Sequence, residues 1–307
     1  NNVSWDVLIK DVGGYSYNPI LSTLKDNIFI EFSEIFIFDA NGNLIHSQSR
    51  SANQSIINEN EEYYYVHEPY ECDSNGKVCD KFRKYSSTNF NQIEAFEVAF
   101  DSGSNSSHVK MIYADSESYY FIYRNERFVK TNLELEPIWA FSGAHGFSDY
   151  SIKKSSGNEF TFCGKYGNGV GVIKFDSDGN ILIPPTEIMN NYGIYSYVNT
   201  IPFLVEDNGD MIIMYQDNFI VKFDANLNEI ANSKDKGYYN YIPHANRSAY
   251  SYYQFEGSPN YSHKEVTYFL LKNSLNELIF GGNSRKAIGW EDFSDRVNTL
   301  FKSKVFD

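Results

Sequence analysis

One short phrase returns along this chain, and its recurrence limits what the chain can fold into. It reads FDANGNLI at residues 38–45, FDSDGNIL at 175–182 and FDANLNEI at 223–230. Looser copies are ECDSNGKVC at 71–79 and KTNLELEPIW at 130–139, and Phe306-Asp307 has the first two letters of another. An apolar run precedes the phrase, as in Ile35-Phe36-Ile37-Phe38 or Gly171-Val172-Ile173-Lys174-Phe175, and a second run follows it. Between the runs stand Asp, Asn, Ser and Gly, which tolerate or require the positive φ of tight hairpin turns. Each copy therefore reads as strand, turn, strand.

Upstream of each hairpin lies a further strand opened by its own polar turn: KDNIFIEF (25–32), ESYYFIY (117–123), GNEFTFCG (157–164), NGDMIIMY (208–215) and LNELIFGG (275–282). Weaker apolar segments come earlier still, such as NPILSTL (18–24) and NTIPFLVE (199–206). The unit is thus about four antiparallel strands, and Trp290–Leu300 alone has the look of a short helix. Four-stranded units repeated along a chain describe a β-propeller, and self-similarity at this period is the mark of a repeat architecture. The second strands start near 25, 61, 117, 157, 208 and 275, which predicts six blades. A seventh could be contained around residues 250–272. The expectation is one all-β domain over residues 1–307. The N-terminal stretch NNVSWDVLI reads as a fourth strand without a blade, so residues 3–9 are expected to complete the last blade and close the ring.

A net charge of −14 argues against nucleic acid, whose phosphates reward Lys and Arg. The 24 Phe and 25 Tyr suit strand packing, and no apolar run approaches the length that spans a bilayer. The chain starts at Asn1 without Met, as after removal of a signal peptide or a cut. If Asn75-Gly76 is a two-residue hairpin loop, pairing runs 74–77, 73–78 and 72–79, and Cys72 faces Cys79 as in a disulfide. A disulfide implies the periplasm, the cell surface or secretion. Cys163, inside the strand FTFCG, reads as a buried structural thiol.

The strand, the FD-x-x-G-N turn and a following strand that often bears Trp resemble the repeats of β-propeller proteins exported by Bacteroidetes. That resemblance implies a protein secreted or anchored as a surface lipoprotein, with a lipid anchor upstream of the chain. It implies no single activity, since members include ligand-capture and assembly proteins as well as enzymes.

The Asp-rich turns invite a calcium reading, but the loop lacks a first ligand: Lys174 stands four residues before Asp178, and no Glu is in register. The Ser-x-Asp-x-Gly spacing of sialidase Asp boxes is missing too. The six His show no metal-ligand spacing, GKYGNGVG (164–171) belongs to a hairpin and not to a phosphate loop, and no Gly-x-Ser-x-Gly elbow occurs. Neither metal nor cofactor is expected. Carboxylate pairs such as Asp292 and Asp295 keep a polysaccharide-active hydrolase or lyase open as the alternative function.

The remaining signal is where the aromatic residues go. Segments that leave the fourth strand of one blade for the next are rich in Gly, Tyr and His: GGYSYN (13–18), GAHGFSDY (143–150), NNYGIYSY (190–197) and GYYNYIPHANRSAYSYY (237–253). Tyr15, Tyr17, His145, Phe147, Tyr195, Tyr197, Tyr239, Tyr241 and His244 are expected to converge on one face, opposite the tight turns. Aromatic rings with a polar tip offer stacking area at low entropic cost, as in sites for sugars or protein partners. The competing reading is that each ring plugs the gap between blades, which is also the reading for Trp5 and Trp139. The expected function is an exported, non-enzymatic binding scaffold for a glycan or for a protein of a cell-envelope assembly.

Overall fold

The computed structural model describes residues 20–31, 34–49, 55–71, 78–98, 109–123, 127–155, 157–167, 169–189, 201, 203–214, 220–232, 261–272, 278–288 and 292–303. Blade 1 holds β1 (Ile20–Leu24), β2 (Asn27–Glu31), β3 (Glu34–Phe38) and β4 (Leu44–Ser49). Blade 2 holds β5 (Ser55–Ile57), β6 (Tyr63–Glu71), β7 (Val78–Ser86) and β8 (Gln92–Val98). Blade 3 holds β9 (Val109–Ala114), β10 (Ser118–Tyr123), β11 (Arg127–Asn132) and β12 (Pro137–Ser142). Blade 4 holds β13 (Phe147–Lys154), β14 (Glu159–Tyr166), β15 (Gly169–Asp176) and β16 (Ile181–Met189). Blade 5 holds β17 (Phe203–Val205), β18 (Met211–Met214), β19 (Ile220–Phe223) and β20 (Glu229–Asn232). Strands in each blade run up and down in chain order, each antiparallel to the next, which makes them β-propeller blades.

The repeat was legible, but its count changes. Among the described residues five four-stranded blades stand where six or seven were expected, followed by a three-stranded sheet of β21 (Tyr261–Lys272), β22 (Leu278–Ile288) and β23 (Asp292–Ser303). Of residues 250–272, the place reserved for a seventh blade, 261–272 are the first strand of that sheet and the rest lie outside the described residues. The segment read as a helix, 290–300, is strand from Asp292 onward and pairs with β22. Val297, Thr299 and the aromatic residues Phe293 and Phe301 favour the pleat, and a full-length partner overrides a weak helical pattern. Residues 3–9, the expected closing strand, lie outside the described residues.

The chain divides into two compact units, Asn1–His145 with blades 1–3 and Gly146–Asp307 with blades 4 and 5 and the last sheet. Within each unit neighbouring blades share apolar faces. Leu24, Phe29, Ile35 and Ile37 of blade 1 pack with Tyr64 and Val66 of blade 2. The other face of blade 2, with Tyr65 and Phe82, packs with Met111, Tyr119 and Phe121 of blade 3. In the second unit Cys163, Val170 and Val172 meet Phe203, Ile213 and Val221. Central strands are therefore covered on both sides and read as unbroken apolar runs; β10 is buried at every residue. Outer strands face water, and β4 and β12 alternate between exposed and half-buried positions.

Candidate functional site

In blades 1, 4 and 5 the turn between the third and fourth strands has one construction. In blade 1 the Asp39 carboxylate accepts the Asn41 and Asn43 amide hydrogens at 2.9 and 2.8 Å on Oδ1, and the Asn43 side-chain NH2 at 2.9 Å on Oδ2. Asp176 with Asn180 and Asp224 with Asn228 repeat these bonds. The Asn43 side chain first, then its amide, hold the Asp39 carboxyl below the usual carboxylate range. Both oxygens thus serve the turn, which accounts for the repeated Asp without a cation. The fourth turn residue has positive φ: 84° at Gly42, 86° at Gly179 and, in the FDANLN copy, 68° at Leu227.

Directly after that turn every blade makes the same irregularity. Ile37 pairs with His46 and Phe38 with Leu44, so Ile45 is an extra residue in β4. By the same count the extra residues are Ile93, Ile138, Leu182 and Ile230. A β-bulge thus opens the outermost strand of all five blades, and its extra residue is always Ile or Leu. A bulge kinks and twists an edge, which keeps a free edge from templating another strand.

The blades are joined by buried charges. Asp80 in β7 is fully buried and accepts the Val109 amide hydrogen at 2.7 Å, at the first residue of blade 3. Its other oxygen lies 2.6 Å from His67 Nε2, and the His67 ring stacks on Phe82. Glu31, also buried, accepts the Ser55 amide hydrogen at 3.2 Å, at the first residue of blade 2. In blade 4 the buried Lys174 reaches forward and donates to the carbonyls of Gly209 (2.9 Å) and Ala225 (2.7 Å) in two turns of blade 5. Desolvation pulls the Lys174 ammonium below its usual range, while Glu159, Asp210 and Asp224 pull the other way.

Of the residues proposed from sequence for an aromatic face, His145 and Phe147 are described. His145 is exposed in the connection from β12 to β13. Phe147 is buried against Phe162 at 5.2 Å and Tyr166 at 4.6 Å, so it belongs to the core of blade 4. Both partner rings lie in β14 of the same blade. Tyr15, Tyr17, Tyr195, Tyr197, Tyr239, Tyr241 and His244 lie outside the described residues. Trp139 in β12 sits over its own blade, edge-on to Tyr120 at 6.0 Å and stacked with Phe141 at 5.4 Å.

The ladder corrects the register that was expected to set residue 72 opposite Cys79. Tyr70 faces Cys79 and Glu71 faces Val78, a register two residues away from the one a tight Asn75-Gly76 loop imposes. Residues 72–77, Cys72 among them, lie outside the described residues. Cys163 is buried as expected, and burial pushes its thiol pKa up. GKYGNGVG forms the hairpin of β14 and β15, with Gly171 set so close beneath Tyr166 and Phe147 that a Cβ has no room.

No protein-family model matches the sequence, and no curated protein matches it. Solved structures that resemble it include BamB from Moraxella catarrhalis, 9% identical over 90% of this chain and 66% of that one, with a TM-score of 0.39. The dihydro-heme d1 dehydrogenase NirN in complex with DHE is 10% identical over 95% of this chain and 67% of that one, with a TM-score of 0.47. A protein of unknown function from Bacteroides caccae is 9% identical over 71% and 69% of the two chains, with a TM-score of 0.38. The chain spans about two thirds of the length of these neighbours. The blades described above, and not these likenesses, carry the fold assignment. Among the described residues no helix is long and apolar enough to cross a membrane.

Proposed function

We propose that this chain is an exported, non-enzymatic binding scaffold that engages a protein partner of a cell-envelope assembly. The observation that carries the reading is the use made of its buried charges. Asp80, Glu31 and Lys174 each hold the backbone of the next blade. Groups spent on fixed backbone donors and acceptors build a rigid platform, whereas acid–base chemistry needs a group within reach of a substrate proton. Loops on rigid scaffolds are where binding residues concentrate. The exposed His145, between the buried Ala144 and Phe147, shows how an inter-blade connection presents one polar ring to solvent. The reading assigns Tyr15, Tyr17, Tyr195, Tyr197, Tyr239, Tyr241 and His244, which lie outside the described residues, to partner binding from the connections that the sequence places between blades.

The test is capture from native envelope extract with the whole chain as bait, beside a variant carrying His145→Ala, Tyr239→Ala, Tyr241→Ala and His244→Ala. A stoichiometric protein retained by the parent and lost by the variant supports the reading. No partner on folded bait, together with binding on a glycan array, replaces it with sugar recognition.

A further inference from the structure

A single exposed aliphatic residue on a protein surface means little. Here the distribution is not scattered. Every large hydrophobic residue that is exposed among the described residues lies at one corner of a blade, the turn into the fourth strand or that strand's first two residues. The bulge residues are exposed from 42% at Ile45 to 55% at Ile138, with Ile93, Leu182 and Ile230 between. Leu44, Ile181 and Leu133 complete the set beside them. A bulge needs only an extra residue, and a polar one would kink the edge equally well. Five bulges filled by five aliphatic residues thus ask for a second reason.

The frame around them is acidic. The segments 39–46, 86–94, 132–139, 176–183 and 224–231 each hold one or two carboxylates and no lysine or arginine. Two cations reach the blade 2 segment from outside it: Lys84 lies 3.6 Å from Glu94, and Lys25 of blade 1 donates to the Thr88 hydroxyl at 2.9 Å. Within a unit the corners are neighbours. The ring of His46, next to Ile45, stacks at 4.7 Å on Phe90 in the turn before Ile93. Glu94 and Glu134 both act on the Tyr119 phenol from the corners of blades 2 and 3. In the second unit Lys174 of blade 4 holds the Ala225 carbonyl, inside the corner turn of blade 5.

We propose that within each unit these corners form a second, multivalent docking surface, at the end of the blades opposite the inter-blade connections, for a polypeptide that carries aliphatic side chains beside lysine or arginine. Charge selects this occupant. A second copy of this chain, an anionic lipid surface or a nucleic acid would meet like charge at the carboxylates of the blade 1 and blade 3 corners. The kinked edge steers the partner to the side chains and away from strand addition. Repetition lets weak corner contacts add by effective concentration. The proposal is independent of the aromatic connections and stands or falls apart from them.

The experiment measures binding of the whole chain to synthetic peptides of alternating Leu and Lys, Ser and Lys, and Leu and Glu. The first is expected to bind most tightly, with affinity falling as salt rises. Ile45→Ser, Ile93→Ser and Ile138→Ser together should weaken it about tenfold, the loss expected when interface anchors are truncated. That variant keeps the charge, so equal binding by parent and variant overturns the proposal as mere ion exchange. Should it not fold, Glu94→Gln with Glu134→Gln and Glu136→Gln replaces it, and is expected to flatten the salt dependence. The quadruple His145/Tyr239/Tyr241/His244 alanine variant should bind the Leu–Lys peptide as the parent does. Preference for the Leu–Glu peptide, uptake by anionic vesicles, or self-association that the serine variant abolishes would each assign the corners to a different occupant and overturn the proposal.

Discussion

The junction between blades 2 and 3 and the junction between blades 4 and 5 solve one problem with opposite charges. In the first a buried carboxylate, Asp80, takes an amide hydrogen from the opening residue of the next blade. In the second a buried ammonium, Lys174, gives hydrogens to two turn carbonyls of the next blade. What decides the sign is which backbone groups the neighbour leaves over. A first strand entering its sheet offers N–H groups at its start, and Glu31 uses Ser55 as Asp80 uses Val109. A tight turn at the other end offers carbonyls. The sign of each buried charge here thus goes with the end of the blade it ties, and either sign survives burial because fixed backbone dipoles hold it, with His67 beside Asp80 and three carboxylates near Lys174.

The largest effect is expected where this comparison is broken on the anionic side. Asp80→Ala strands the Val109 amide and the His67 ring together, at a cost of about 3 kcal/mol or more, read as a lowered midpoint in urea. Lys174→Met keeps the apolar stem and leaves two carbonyls short of donors. About 2 kcal/mol is expected, since a buried carbonyl tolerates partial satisfaction better than an N–H does. If Lys174→Met costs more than Asp80→Ala, the ordering by donor and acceptor is wrong.

Smaller changes sharpen the contrast between turn copies. Gly179→Leu imposes on blade 4 the left-handed residue that blade 5 already carries at Leu227, and should cost about 1 kcal/mol. Leu227→Gly should return less than that, because Leu227 also packs against the blade 4–5 core. Equal and opposite shifts in thermal midpoint would mean that this packing contributes nothing.

Two pH effects complete the series. Burial holds the His46 imidazole below its ordinary pKa, with Gln48 pulling the other way. The unfolded chain then takes up the proton first, so the stability linked to His46 is present above about pH 6.5 and is lost as pH falls through the folded value. His46→Phe keeps a ring on Phe90 and should flatten the melting temperature between about pH 7 and 5. Asp39 follows the same sign at lower pH. Its contribution is present above about pH 4 and fades as pH falls through its lowered folded value, so Asp39→Asn should flatten the acid limb slightly. A steeper limb in that variant would mean that Asp39 is not the group being protonated.

Much of the blade was legible because its signals are local. Asp39, Asp176 and Asp224 reach partners two and four residues on, so the turn could be read from a short window. All six expected second strands exist, as β2, β6, β10, β14, β18 and β22. The register of β6 on β7 could not be read, because it is set along nine paired residues of each strand and not by the local Asn75-Gly76 signal. Lys174 passed in sequence as a missing calcium ligand; its carbonyl partners lie 35 and 51 residues away. The corner aliphatic residues left a visible trace, an Ile or Leu after every turn. Their alternation with polar neighbours looked like ordinary strand, and only the register exposes the extra residue.

The sequence by itself determined the strand–turn–strand unit, its repetition and the chemistry of its turns, since those rest on φ preferences and hydrogen bonds that close within a few residues. Tertiary structure alone decided that Phe147 is core, that the last sheet has three strands among the described residues, and that Asp80 and Lys174 are buried ties. Each of these depends on which sheet stacks against which, and stacking is fixed by apolar area and leftover backbone groups far apart along the chain.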